Sequence, residues 1–85
     1  MNWVLLIDPV ARKFLRKIPK DQAERIGAVL DSLGFDPYFG DIEKMLGNED
    51  TWRRRVGSYR IFYKVLPIRN LVFVFKIKRR TSSTY

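Results

Sequence analysis

The chain has 85 residues, 46% of them apolar, and 17 Lys plus Arg against 9 Asp plus Glu give it a formal charge of +8. That length holds a single domain over residues 1–85, and the absence of Cys and His removes disulfides, thiolate chemistry, the usual general base and the commonest metal ligands, so neither a metal nor another cofactor is expected. The charge is one-sided: residues 1–50 carry 7 basic and 9 acidic side chains, whereas residues 51–85 carry 10 basic and no acidic ones, a distribution that fits a polyanionic partner.

Trp3-Val4-Leu5-Leu6-Ile7 is short, apolar and partly β-branched, and reads as a buried strand. At five residues it is too short for a membrane span or a signal-peptide core, so no membrane partner is expected. Asp8-Pro9 then forms a helix start, with a capping carboxylate followed by proline in the first turn. Ala11, Phe14, Leu15 and Ile18 fall at helical spacing, leaving Arg12, Lys13, Arg16 and Lys17 toward water. Pro19 interrupts that pattern. A second helix follows, carrying Ala23, Ile26, Val29, Leu30 and Leu33, with Gly34 placed to end it. The two should pack as a helical hairpin.

Residues 35–50, including Asp36-Pro37, read as a connection. Three strands are then predicted at Thr51–Val56, Tyr59–Leu66 and Leu71–Lys78. Gly57-Ser58 matches a type II′ turn between the first two, and residues 67–70 make the second turn. The order β-α-α-β-β-β gives an α+β fold: a helical hairpin on one face of a small, mainly antiparallel four-stranded sheet.

The Gly57-Ser58 turn sets a register in which Val56 faces Tyr59, Arg55 faces Arg60, Arg54 faces Ile61 and Arg53 faces Phe62. Alternation then projects Arg53, Arg55, Arg60 and Lys64 from one side. Arg55 directly opposite Arg60 destabilises a sheet unless an anion screens the pair. In the last strand Leu71, Phe73, Phe75 and Ile77 alternate with Val72, Val74, Lys76 and Lys78, so nearly all of it is apolar and it is expected at the centre, buried on both faces. Lys78-Arg79-Arg80 leaves its end beside the arginine face. Guanidinium groups bind phosphate bidentately, and several converging on one hollow make a phosphate site. Tyr59, Tyr63 and Trp52 read as core or rim aromatics. Tyr85 has no evident core duty and is available to stack on a base.

The runs Lys44-Met45-Leu46-Gly47 and Trp52-Arg53-Arg54-Arg55-Val56-Gly57-Ser58-Tyr59-Arg60-Ile61-Phe62-Tyr63 resemble the signature of the RelE/ParE toxin superfamily. The resemblance covers nearly the whole chain and implies the toxin of a type II toxin–antitoxin pair acting in the cytoplasm. RelE-like members cleave mRNA in the ribosomal A site by attack of a 2′-hydroxyl on the adjacent phosphate. Carried over by position, Arg53 and Arg55 would bind the phosphate and Arg60 would stabilise the phosphorane. Arg79 would protonate the leaving oxygen, and Tyr85 would stack on a base. Lys44, Arg54, Lys64, Lys76, Lys78 and Arg80 would bind nucleic acid. The implied partners are an acidic cognate antitoxin, in a hetero-oligomer, together with ribosome and mRNA.

Arginine is a poor proton acceptor, which leaves Asp41 or Glu43 as the nearest carboxylate base. Two other readings remain: a ParE-like inhibitor of DNA gyrase, and a catalytically inactive module that binds antitoxin or nucleic acid.

Overall fold

The computed structural model describes residues 3–47 and 49–80, so Tyr85 lies outside the described residues. The elements are β1 (Val4–Ile7), α1 (Pro9–Lys17), α2 (Lys20–Phe35), β2 (Ile42–Lys44), β3 (Thr51–Val56), β4 (Tyr59–Leu66), a 3-10 turn (Pro67–Arg69) and β5 (Leu71–Arg79). The strands form one sheet in the order β1-β5-β4-β3-β2, with β1 parallel to β5 and the other neighbours antiparallel.

The α+β plan therefore holds, but the sheet has five strands where four were expected. The addition is β2, inside the segment read as a connection. Three residues are too few for an alternating pattern to register. This strand forms because β3 presents an open edge, and Ile42, Glu43 and Lys44 pair along it with Arg54, Arg53 and Trp52.

Asp8 caps α1 as its sequence implies, its Oδ1 accepting from the Val10 amide at 2.8 Å, with Pro9 in the first turn. Gly34 does not end α2. The helix runs on to Phe35, and the Asp36 amide donates to the Ser32 carbonyl at 3.0 Å. Among the described residues no helix is long and apolar enough to cross a membrane.

Both helices cover one face of the sheet. Ala11, Ile26, Leu30 and Leu33 meet Val56, Tyr59, Ile61, Tyr63, Val65, Val72, Val74 and Ile77 in a single buried cluster. Fully burying one such side chain contributes about 1.5–3 kcal/mol, which is how a short chain holds its sheet rigid.

The other sheet face is open, and this corrects two expectations. β1 is an edge strand covered on one side only, leaving Val4 and Leu6 about half exposed. The central strand is β4; β5 lies beside it, with Leu71, Phe73 and Phe75 only partly buried. A register shift follows: Phe62 pairs with Lys76 while Tyr63 pairs with Val74, making Phe75 the extra residue of a bulge. The bulge reverses the alternation downstream. Ile77 joins Val72 and Val74 in the core instead of sharing a face with Leu71 and Phe73.

Candidate phosphate-binding site

The β3–β4 hairpin has the expected register, pairing Val56 with Tyr59, Arg55 with Arg60, Arg54 with Ile61 and Arg53 with Phe62. Gly57 takes φ +58° while Ser58 keeps a negative φ, as a type II′ turn requires. Tyr59 and Ile61 point into the core, so Arg53, Arg55 and Arg60 are left on the open face. Three guanidinium groups thus occupy neighbouring positions on two strands.

They line two adjoining hollows. A cavity of about 90 Å³ is bounded by Asp41, Glu43, Arg53, Arg55 and Arg60. Beside it a cavity of about 270 Å³ is bounded by Arg53, Arg60, Phe62, Lys78, Arg79 and Arg80. Arg53 and Arg60 form the wall common to both.

Arg60 is the focal cation. Its Nη1 is buried and has no hydrogen-bond partner among the described residues. Its pKa is lowered from the ordinary arginine value, first by desolvation, then by the positive charges of Arg80, Arg53 and Arg55, with Asp41 acting in the opposite sense. A guanidinium stays charged even so, and such a group gains most from a bound anion.

Its two neighbours are occupied. Arg53 Nη2 donates to Glu43 Oε1, and Arg55 Nε donates to Asp41 Oδ2 at 2.9 Å. Both pairs are substantially solvated, with Arg55 and Asp41 side chains 52% and 59% exposed. Ion pairs of that kind contribute only about 0–1 kcal/mol, so an incoming phosphate can replace either carboxylate.

The loop preceding β2 is held from the helix-facing side. The Tyr63 hydroxyl donates to the buried Pro37 carbonyl at 2.6 Å, and Arg54 Nη1 donates to the Phe39 carbonyl at 3.1 Å. Burial pushes the Tyr63 phenol well above its ordinary pKa. Gly40 sits under Arg54 with φ +101°, and a Cβ there would lie 2.5 Å from Arg54 Nη1. Arg54 therefore braces the loop from the face away from the hollows.

The remaining expected residues separate into groups. Lys78, Arg79 and Arg80 border the larger hollow, and the Arg80 amide donates to the Ser58 carbonyl at 2.6 Å, anchoring the end of β5 to the hairpin turn. Arg80 is among the positive charges that lower the Arg60 pKa. Lys76 pairs with Phe62 on the open face. Lys64 faces the same side but stands four residues from Arg60, about 13 Å along the strand. Lys44 is turned away, with its Nζ 5.9 Å from the Trp52 ring centroid. The site also has a member that was not singled out from the sequence, Phe62, which lines the larger hollow. Its signal was present, since the hairpin register sets Phe62 opposite Arg53 on the basic face.

Residues 5–83 match the family described as the ParE toxin of type II toxin-antitoxin system, parDE. A Methanocaldococcus jannaschii protein named for toxin RelE1 is 27% identical over 71 residues, 80% of this chain and 79% of that protein. The fold superposes on the archaeal RelE–RelB complex from Pyrococcus horikoshii with a TM-score of 0.84 and 27% identity, covering 98% of this chain and 100% of the other. The isolated Escherichia coli RelE toxin gives a TM-score of 0.82 at 24% identity, over 95% of this chain and 87% of its own.

Proposed function

From the premise that the chain belongs to the ParE toxin family, as the toxin of a type II toxin–antitoxin system, we propose that it is a ribosome-dependent endoribonuclease that cleaves mRNA in the A site. The observation that carries this reading is the pair of hollows sharing Arg53 and Arg60, with the buried Nη1 of Arg60 unpartnered among the described residues.

The scissile phosphate sits against Arg60 and exchanges for the carboxylates on Arg53 and Arg55. The 2′-hydroxyl oxygen forms a bond to phosphorus as the bond to the 5′-oxygen breaks, leaving a cyclic phosphate and a free 5′-hydroxyl. Charge developing on the phosphorane falls on guanidinium groups already fixed by the sheet, so little reorganisation accompanies the reaction. The displaced Asp41 or Glu43 carboxylate takes the 2′-hydroxyl proton. Arg79 or Arg80 holds the charge developing on the leaving 5′-oxygen, which takes its proton from water, and Tyr85 stacks on a substrate base. Phe62 offers an apolar floor beside the phosphate.

The partner of the resting toxin is an acidic cognate antitoxin in a hetero-oligomer. The Pyrococcus horikoshii relative was solved as a RelE–RelB complex. Toxin and target meet in the cytoplasm, where ribosomes are.

Induced expression followed by primer-extension mapping of translated messages tests the reading: cleavage inside codons is expected, and intact transcripts during growth arrest would refute it. The parDE description of the matching family favours one other reading, inhibition of DNA gyrase. Supercoiling by purified gyrase with and without the toxin separates the two.

A further inference from the structure

We propose that the outer face of α1 is a second polyanion-binding surface, fitted to the phosphate backbone of double-helical RNA and separate from the arginine hollows. Arg12, Lys13, Arg16, Lys17 and, just beyond the helix, Lys20 are all exposed, and no acidic residue occurs between Asp8 and Asp21. None of the five forms a salt bridge among the described residues, where the ion pairs are Arg53 with Glu43 and Arg55 with Asp41.

A solvated helix face does not need this pattern. Arg12 with Arg16, and Lys13 with Lys17, are like-charge pairs at i,i+4, a spacing at which like charges oppose the helix and a Glu–Lys pair supports it. Arg16 and Lys17 are favourably placed against the C-terminal end of the helix dipole. That account does not reach Arg12 and Lys13, which lie in the middle of the helix.

The chemistry of the face selects its occupant. The apolar residues of α1 turn inward: Ala11 is fully buried, and Phe14, Leu15 and Ile18 pack against the core. Only Val10, at the far end, is an exposed large apolar group. A protein interface has an apolar or aromatic centre depleted of charge, and a membrane-surface helix inserts apolar side chains; this face has neither feature. It also lacks the aromatic platforms on which single strands stack. A row of cations on a rigid rod matches a regular phosphate backbone.

Position supplies the continuity. α1 starts near Val74, whose carbonyl accepts from the Asp8 amide at 2.8 Å, and runs toward Tyr59, whose ring lies 5.9 Å from Phe14. Tyr59 pairs with Arg79. Arg25 of α2 reaches the hairpin turn, where a Cβ on Gly57 would lie 3.1 Å from its Nη1. Arg25 and Arg79 thus place basic charge near the Gly57-Ser58 end, between the hollows and the helices. The choice of RNA over DNA rests on the proposed function; the affinity for a duplex backbone does not.

The test compares the wild type with the quadruple variant Arg12→Gln, Lys13→Gln, Arg16→Gln, Lys17→Gln, since Gln keeps helix propensity. Fluorescence anisotropy at several salt concentrations would use an RNA duplex, a DNA duplex of the same sequence and a single-stranded RNA. Each phosphate contact contributes about 0.9 to the slope of log K against log salt. The variant should lose about 2–4 in slope on duplex RNA and at least tenfold in affinity at low salt, with single-strand binding unchanged. The double variant Arg12→Gln, Lys13→Gln should show about half that loss and covers the case in which the quadruple variant does not fold. An unchanged duplex slope, an equal loss on the single strand, or a loss confined to duplex DNA would overturn the proposal. Arg60→Ala keeps the duplex slope while losing cleavage, so failure of the proposed nuclease activity is distinguishable from failure of this surface.

Discussion

Asp41 holds Arg55 twice: its carbonyl accepts the Arg55 amide at 3.0 Å, and its Oδ2 accepts Arg55 Nε at 2.9 Å. One residue before β2 thus fixes both the backbone and the side chain of a site cation. Glu43, two residues on, does the same service for the Arg53 side chain. These carboxylates lie on the guanidinium groups to which the proposed function assigns the phosphate, while Arg60 Nη1 has no partner among the described residues.

Replacing both acids, Asp41→Asn with Glu43→Gln, should strengthen binding to single-stranded RNA. Each exposed pair is worth about 0–1 kcal/mol, so the combined gain is up to roughly 30-fold at low salt. Cleavage should fall in the same variant by about 10²–10⁴, the usual contribution of a general base. Anisotropy and primer extension read the two effects separately, and a drop in affinity would contradict the exchange of carboxylate for phosphate.

Arg60→Ala should reduce cleavage by about 10²–10³, as for removal of a transition-state charge donor. Its effect on stability should run the other way. Arg60 is desolvated and faces Arg80, Arg53 and Arg55, so its charge opposes folding. Thermal unfolding should show an equal or higher Tm than wild type, with less stabilisation by added salt. A clear loss of Tm would mean that Arg60 is there for structure.

Tyr63→Phe leaves the buried Pro37 carbonyl without its donor and should cost about 1–3 kcal/mol in denaturant unfolding. The pH dependence follows from burial, which raises the folded pKa of this phenol above the unfolded value near 10. The contribution is fully present below about pH 10 and is lost as pH rises beyond it toward the folded pKa. Alkaline unfolding curves of wild type and Tyr63→Phe should therefore converge above that pH; a constant gap would refute the assignment.

Gly40→Ala meets two obstacles, a φ of +101° and the Arg54 guanidinium. A left-handed backbone alone costs about 1–2 kcal/mol for a residue with a Cβ. Displacing Arg54 also loosens the loop that carries Asp41, so Tm and cleavage should fall together. Gly47→Ala, also at positive φ but with nothing within 4 Å of the added Cβ among the described residues other than its chain neighbours, is the control: it should lose Tm alone.

The two-strand arginine face was legible because it depends on local chemistry. Gly57 in a two-residue turn sets the β3–β4 register, and alternation then assigns Arg53, Arg55 and Arg60 to one side. The sequence of helices was equally local, from the Asp8 cap to the Pro19 break. Gly34 misled because glycine ends a helix only when it takes a left-handed φ, and here Asp36 captures the Ser32 carbonyl instead.

By itself the sequence determined the helical hairpin, the β3–β4 register and the basic half that feeds the site, all products of contacts between near neighbours in the chain. Only the tertiary structure decided that Asp41 and Glu43 sit on Arg55 and Arg53, that Arg54 braces a loop behind the sheet, and that the charge of Arg80 bears on Arg60. β2 has too few residues to announce itself, and the Phe75 bulge shifts a register that alternation takes as unbroken. Both depend on which strand edge was free to pair, and that is settled when distant segments meet.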